Sequence, residues 1–170
     1  PVREAIRKLE LEGLVVMLPR KGAYVANISV KDLMDVLEIR ASLEGLGASL
    51  AAERRTEEDI KNLEEIEEEF EQAVITQDID MLLKKDIEFH ECIFKAANNK
   101  KLEKMINSLW EQVQRFRITY VSDSNASLSL IDEHRIILNA IKEGNVADGK
   151  KAAIEHIEKA EQFMLDHCTK

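Results

Sequence analysis

Residues that interrupt helices are scarce in this sequence, which has two prolines and six glycines among its 170 residues. A fold with many turns needs such residues, so their scarcity counts against a β-rich fold and predicts long helices. No apolar run approaches the roughly 20 residues that a membrane-spanning helix needs, and no secretory signal pattern is present. We therefore expect no membrane partner.

Cysteine is scarce as well, with Cys92 and Cys168 as the two examples. Two cysteines do not make a disulfide framework, and this usage fits a reducing compartment, so we predict a cytoplasmic protein. Hydrophobic residues make up 45% of the chain and charged residues 34%. These proportions suit one packed domain, or a domain with a small appendage, under a well-solvated surface.

An overall excess of positive charge is also missing, because the formal net charge is −9 at pH 7. This charge argues against a nucleic-acid-binding surface that covers the whole chain. Residues 1–26 nevertheless hold five Lys or Arg and three Glu, a net charge of +2, which leaves −11 on the remainder. A basic head on an acidic body suggests two separate functions. Because Pro1 rather than Met comes first, we expect the natural chain to begin earlier.

The basic head has the pattern of one helix followed by a β-hairpin. Apolar residues at helical spacing predict a helix over Val2–Leu11, with Gly13 as its stop signal. Short strands are predicted over Leu14–Leu18 and Ala23–Ala26, and Pro19–Gly22 between them has turn chemistry. The second half of a winged helix-turn-helix has this pattern, and so does a structural hairpin that caps a larger domain.

The remainder of the chain is predicted to be an all-α bundle of about six antiparallel helices. The boundary is placed near Asn27, giving a head of residues 1–27 and a helical domain of residues 28–170. The polar segment Ser122–Ser129 is predicted to be a loop, either a lid or a simple connection. The acidic run Glu64–Glu69 is interpreted as a solvated helix face.

Three of the four histidines fall on the apolar faces of three different predicted helices, and His90 has Asp86 one turn before it. Taken singly, each of His90, His134 and His156 is more often a packed core residue than a ligand. A carboxylate on a buried face, however, needs a partner or a metal. Three imidazoles and one carboxylate suit zinc, nickel or another divalent transition metal. We therefore predict a metal site formed by Asp86, His90, His134 and His156.

The head sequence PVREAIRKLELEGLVVMLPRKGAYVA resembles the recognition helix and wing of the GntR family of bacterial transcription regulators. This resemblance implies that Arg3 contacts DNA from the start of the recognition helix, assisted by Arg7. It also implies that the wing around Arg20, Lys21 and Gly22 reaches a groove or the DNA backbone. Arginine forks suit guanine edges and phosphates. The segment lacks a complete helix-turn-helix, so operator DNA is expected to need the complete winged-helix domain.

The segments LEIRASLEGLGASLAAERR, DIEFHECIFKAANN, DEHRIILNAIKEGN and AAIEHIEKA resemble the FCD effector-binding domain of the FadR subgroup. The resemblance implies the same four metal ligands, a small carboxylate effector and a homodimer. Some members of the subgroup lack the metal and bind acyl-CoA, and the complete ligand set here counts against that branch. Spacing alone lets Arg40 pair with Glu44 and extend to solvent. The resemblance implies instead that Arg40 faces the cavity and holds a carboxylate.

A metal held by three histidines and a carboxylate also resembles a hydrolase or oxygenase site in outline. A metal-dependent enzyme acting on a small carboxylate is therefore the alternative interpretation. Four glutamates adjoin the candidate ligands in sequence, and each is rotated by about 100° or more from its neighbour on the same helix. They are Glu88, Glu91, Glu133 and Glu155. Since no nucleophile motif or phosphate-binding loop is present, we predict a ligand-controlled transcription regulator rather than an enzyme.

Overall fold

The computed structural model describes residues 1–11, 13–25 and 29–168. Within them it contains seven helices and one two-stranded sheet, which confirms the predicted all-α bundle with a partial wing. None of the described helices is long and apolar enough to cross a membrane. The elements in chain order are α1 Val2–Leu11, β1 Val15–Leu18, β2 Gly22–Val25, α2 Val30–Arg54, α3 Glu57–Thr76, α4 Ile79–Ala96, α5 Lys100–Val121, α6 Ser124–Glu143 and α7 Val146–Cys168.

The head consists of α1 followed by an antiparallel hairpin, as the sequence predicted. Val15 lies opposite Val25, and Leu18 lies opposite Gly22. Two residues at the hairpin have positive φ: Arg20 in the turn, at 64°, and Gly22 at the start of β2, at 98°. Glycine adopts this conformation without steric cost, whereas Arg20 tolerates it as a single turn residue. The predicted domain boundary near Asn27 lies outside the described residues.

Short-range capping signals set the starts of several helices. The Ser29 hydroxyl accepts a hydrogen bond from the Asp32 backbone N–H while the Asp32 carboxylate accepts from Ser29, a capping box that begins α2. Thr56 and Asp59 form the same arrangement at α3. The Asp78 side chain accepts from Met81 N–H at the start of α4. These four-residue signals explain why the helix starts could be predicted from sequence.

The segment predicted to be a loop, Ser122–Ser129, is mostly helical. The Asp123 carboxylate accepts hydrogen bonds from the backbone N–H groups of Asn125 and Ala126, and α6 therefore begins at Ser124. Ala126 and Ser127 are buried against the bundle. Tertiary packing and an N-cap thus override the weak helix propensity of this serine-rich stretch. The segment therefore forms the start of α6 rather than a loop.

Helix α2 lies at the centre of the bundle and packs against α4, α5, α6 and α7. Gly45 and Gly47 permit α2 to approach α7 and α4 closely. A Cβ on Gly45 would lie 2.7 Å from Ile154 of α7, and one on Gly47 would lie 2.8 Å from Phe94 of α4. Because α2 carries Arg40 and Glu44 between these helices, the packing places both charged side chains inside the bundle.

Candidate metal and effector site

The three inward-facing histidines meet inside the bundle. His90 comes from α4, His134 from α6 and His156 from α7, and all three are buried. One nitrogen of each lies within 4.8 Å of one nitrogen of each of the others. The Nε2 atoms of His90 and His156 are 3.3 Å apart. The structure therefore brings together three side chains that the sequence placed on separate helices.

Asp86 lies beside this cluster, one turn before His90 on α4. Its Oδ1 is 3.6 Å from His134 Nε2, while its Oδ2 accepts a hydrogen bond of 2.6 Å from Arg117 Nε. Burial alone would raise the pKa of Asp86, but the Arg117 guanidinium and the imidazoles outweigh burial and hold this pKa well below its ordinary value. Asp86 is therefore a carboxylate, with one oxygen held by Arg117 and the other beside His134.

Each imidazole of the cluster has its Nδ1 atom against a buried glutamate from another helix. In metal sites, such outer carboxylates orient the imidazole and increase its basicity. The pairs are His90 with Glu44 at 3.1 Å, His134 with Glu67 at 3.2 Å and His156 with Glu133 at 2.9 Å.

These contacts decide which nitrogens face the centre of the cluster. Burial alone would raise the pKa values of Glu44 and Glu133, but both pKa values are lowered overall, since His90 lies beside Glu44 and His156 beside Glu133. An ionised carboxylate only accepts hydrogen bonds, so the proton of each neutral imidazole is on Nδ1. The Nε2 atoms of His90 and His156 therefore direct lone pairs at each other across 3.3 Å.

The surroundings of His134 likewise leave its Nε2 atom without a partner inside the cluster. His134 Nε2 is buried and has no hydrogen-bond partner, although an unpaired buried polar atom is costly. Burial also lowers the pKa of His90 to about 4 and lowers that of His156, so both are neutral near pH 7. Neutral imidazole nitrogens beside a carboxylate are a donor set that fits a divalent transition metal.

A cavity adjoins the cluster. Its atom-free volume, including the mouth, is about 420 Å³, but the centre of a water molecule can occupy only about 30 Å³ of it. The charged end is formed by Arg40, Asp86, His90, Arg117 and His156. The remaining lining residues are Leu33, Leu37, Val113, Phe116, Tyr120, Val121, Ile157, Ala160 and Met164.

Two arginines face the cavity from different helices. Arg40 is 5% exposed, and its Nε donates to Glu44 Oε1 at 3.1 Å. The structure thus combines both expectations for Arg40, because it pairs with Glu44 and yet stays inside beside the cavity. Arg117 is 6% exposed, and neither Nη1 nor Nη2 has a hydrogen-bond partner. The residues predicted to contact DNA, Arg3, Arg7, Arg20, Lys21 and Gly22, are all exposed in the head.

Four charged residues of the site were not predicted from the sequence: Glu44, Glu67, Glu133 and Arg117. The interpretation of the acidic run as a solvated face was wrong for Glu67, which is 4% exposed. Glu133 is rotated away from its neighbour His134 as expected, but it reaches His156 on α7. The sequence did contain a signal for the burial of Glu67, because this residue lies at helical spacing between the apolar residues Leu63 and Phe70.

The FCD domain family matches residues 35–159, a range that contains all four candidate ligands. The HTH-type transcriptional regulator LutR of Bacillus subtilis is 30% identical over 183 aligned positions, which cover 96% of this chain and 83% of LutR. The structure of Escherichia coli McbR/YncC is similar with a TM-score of 0.86 at 22% identity, covering 97% of this chain and 83% of that chain. A Streptococcus agalactiae GntR structure has a TM-score of 0.65 at 24% identity, with coverage of 95% and 80%. The chain therefore belongs to the FCD-domain, FadR-type branch of the GntR family of transcription regulators.

Proposed function

We propose that this regulator senses a small carboxylate on a divalent metal held by His90, His134, His156 and Asp86. The observation that supports it most strongly is the 3.3 Å approach of two Nε2 atoms whose Nδ1 partners are ionised glutamates. Without a cation between them, these lone pairs repel each other. Zinc and nickel both suit three imidazoles and one carboxylate.

Arg117 and Arg40 are the proposed anchors for the acid. A guanidinium whose Nη1 and Nη2 atoms are buried without partners pays a large desolvation cost. A carboxylate in the cavity would accept hydrogen bonds from those atoms and offset this cost. The bound metal would add positive charge for the same carboxylate.

The proposed division of labour assigns residues 1–27 to a winged helix-turn-helix and residues 28–170 to the sensor. In a homodimer, two such heads read the two halves of an operator, with Arg3 and the wing on DNA. Helix α2 begins at Val30, shortly after the head, and carries Arg40 and Glu44 of the site. A ligand that favours one packing of α2 therefore shifts the population of head spacings.

Elemental analysis of the purified protein tests the metal. We expect about one equivalent of a divalent transition metal in the wild type, and much less in His156→Ala. His167→Ala is the matched control, because His167 is exposed and lies away from the cluster. Removal of the metal with a chelator should lower the melting temperature, since metal at 100 times its Kd contributes about 2.7 kcal/mol. An unchanged melting curve after complete removal would contradict the proposal.

A screen of small carboxylates tests the sensor. Metal-loaded protein should gain melting temperature with a subset of acids, and Arg117→Gln should lose most of that gain while still binding the metal. The acids are recovered and quantified after incubation. Full recovery supports a sensor, whereas consumption of an acid would favour the enzyme alternative. A complete lack of response to carboxylates in metal-loaded protein would refute carboxylate sensing.

A further inference from the structure

We infer that the effector is a carboxylic acid with one acidic end and a short hydrocarbon tail, rather than a polyhydroxylated sugar acid. The inference depends on the proposed function, since it names the class of acid that the same cavity accepts. It is supported by the distribution of polar and apolar side chains along the cavity and by the charges at its inner end.

The cavity changes from charged to apolar along two antiparallel helices. On α2 the lining residues run from Arg40 to Leu37 and Leu33, and on α7 they run from His156 through Ala160 to Met164. Leu33, Leu37, Ala160 and Met164 belong to one buried hydrophobic cluster. Seven or eight helical residues correspond to roughly 10–12 Å. The lining thus extends about that far from the candidate metal ligands into hydrocarbon.

Hydroxyl groups on a ligand tail would find few partners in this apolar part. Of the described lining residues, Tyr120 is the one that carries a polar side-chain group outside the charged end. A sugar acid would bury several hydroxyls there and lose their hydrogen bonds to water. An apolar pocket rejects an added hydroxyl by about 100-fold in known cases. The same surroundings favour methyl and methylene groups.

The charged groups at the inner end of the cavity can neutralise one acidic group of a ligand. Arg40 is paired through its Nε atom with Glu44, and Arg117 is paired through its Nε atom with Asp86, so each guanidinium already has one carboxylate counter-charge. The Nη atoms of Arg117 are buried without hydrogen-bond partners. One carboxylate satisfies these atoms together with the metal. A second carboxylate at the far end would lie among Leu33, Leu37 and Met164 without a counter-charge, which is strongly unfavourable.

The small free space limits the tail. The roughly 30 Å³ open to the centre of a water molecule is enough for about two waters. A short tail fits by displacing them, whereas each further carbon must open the mouth or displace buried side chains. Affinity should therefore rise with chain length at first and then fall.

Isothermal titration of metal-loaded protein with unbranched acids from acetate to octanoate tests the inference. We expect affinity to rise about four-fold per added methylene, to reach a maximum and then to fall. Gluconate and adipate, which have six carbons like hexanoate, should bind about 100-fold more weakly than hexanoate. Gluconate or adipate binding more tightly than hexanoate, or no dependence on chain length, would overturn the inference and leave the proposed function intact. If no acid binds the metal-loaded protein, both the inference and the proposed sensing fail.

Two variants test where the hydrocarbon tail of the bound acid lies in the cavity. Met164→Gln places an amide in the apolar end and should weaken hexanoate binding about ten-fold or more. It should weaken acetate binding by a much smaller factor, because acetate has no tail that reaches Met164. Met105→Gln is the control, because Met105 is 57% exposed on α5 and does not line the cavity. Equal hexanoate affinity in Met164→Gln and wild type would contradict the placement of the tail. If Met164→Gln does not fold, the wild-type series of acids still decides the class of effector.

Discussion

At the residue scale, Glu44 links the candidate metal ligands to the effector cavity. Its Oε2 contacts His90 Nδ1, and its Oε1 accepts hydrogen bonds from Arg40 Nε and Trp110 Nε1, each at 3.1 Å. With the side chain 2% exposed, these interactions are not weakened by water. A change in the position of His90 is therefore transmitted to Arg40 through the Glu44 carboxylate.

Glu44→Gln should reduce metal affinity about 10- to 100-fold, because the neutral amide no longer holds the His90 imidazole with an ionised acceptor. A competition titration against a chelator of known affinity measures the change, on protein whose helical circular dichroism is intact. Glu64→Gln is the matched control, since Glu64 pairs with Lys142 on the exposed face of α3. Equal metal affinities in the two variants would show that Glu44 does not contribute to metal binding.

The buried neutral histidines predict that the metal-free protein loses stability in mild acid. Burial lowers the pKa of His90 to about 4 and lowers that of His156, from the ordinary 6.5. Below about pH 6.5, and for His90 down to about pH 4, the unfolded chain binds more protons than the folded protein. Stability therefore falls as pH falls, by up to about 1.4 kcal/mol per pH unit and histidine. Glu67, whose pKa is raised by burial, acts in the opposite direction.

Urea unfolding of the metal-free protein at pH 7 and pH 5 measures this dependence. The wild type and His167→Ala should both be clearly less stable at pH 5, whereas His156→Ala should show a smaller difference. A wild type that is equally stable at both pH values would show that the cluster does not hold its histidines neutral.

At the element scale, the helices themselves were predictable because their signals are local. Ser29 with Asp32 and Thr56 with Asp59 act within four residues, and the apolar periodicity marks which face turns inward. The start of α6 was missed because its serine-rich first turns are stabilised by contacts with the bundle. The Nδ1 partners were missed for a related reason, since Glu44 and His90 are 46 residues apart and periodicity carries no information about which helices meet.

Helix α2 tolerates little extra volume at its contact with α4. In Gly47→Ala, the new Cβ would lie 2.8 Å from the ring of Phe94, which is only 2% exposed. The helix-propensity gain of up to about 1 kcal/mol is smaller than the usual overpacking cost of about 1–3 kcal/mol. We expect a net loss of about 1–2 kcal/mol in the free energy of unfolding, measured by urea denaturation.

Gly149→Ala on α7 is the control for this substitution. Its Cβ would lie 3.4 Å from the Ala48 carbonyl oxygen, an ordinary contact distance. The variant should therefore be as stable as the wild type or more stable by up to about 1 kcal/mol. Gly47→Ala with stability equal to that of Gly149→Ala would mean that α2 and α4 separate easily.

At the scale of the whole molecule, the basic hairpin and the acidic bundle are expected to contribute different properties. In a form of the protein with a complete winged helix-turn-helix, Lys21→Ala should weaken DNA binding for all sequences alike. It should also reduce the slope of log affinity against log salt by about one. Arg3→Ala should instead lower the preference for the operator over other DNA. Electrophoretic mobility shifts at several salt concentrations measure both.

Lys151→Ala is the control for the DNA measurements. Lys151 is exposed on α7, where it lies near Glu155, and its loss should leave the salt dependence unchanged. If Lys21→Ala has the same salt dependence as Lys151→Ala, the wing does not contact the DNA backbone.

The hydrogen bond from the Trp110 indole to Glu44 has a practical consequence for the study of this regulator. Trp110 is the single tryptophan of the chain, and the Arg117 guanidinium carbon lies 5.6 Å from its ring centroid. The chain therefore carries one tryptophan fluorophore, in contact with residues of both the metal cluster and the cavity. Emission from that indole gives a label-free optical signal for loading of either component, free of background from other tryptophans.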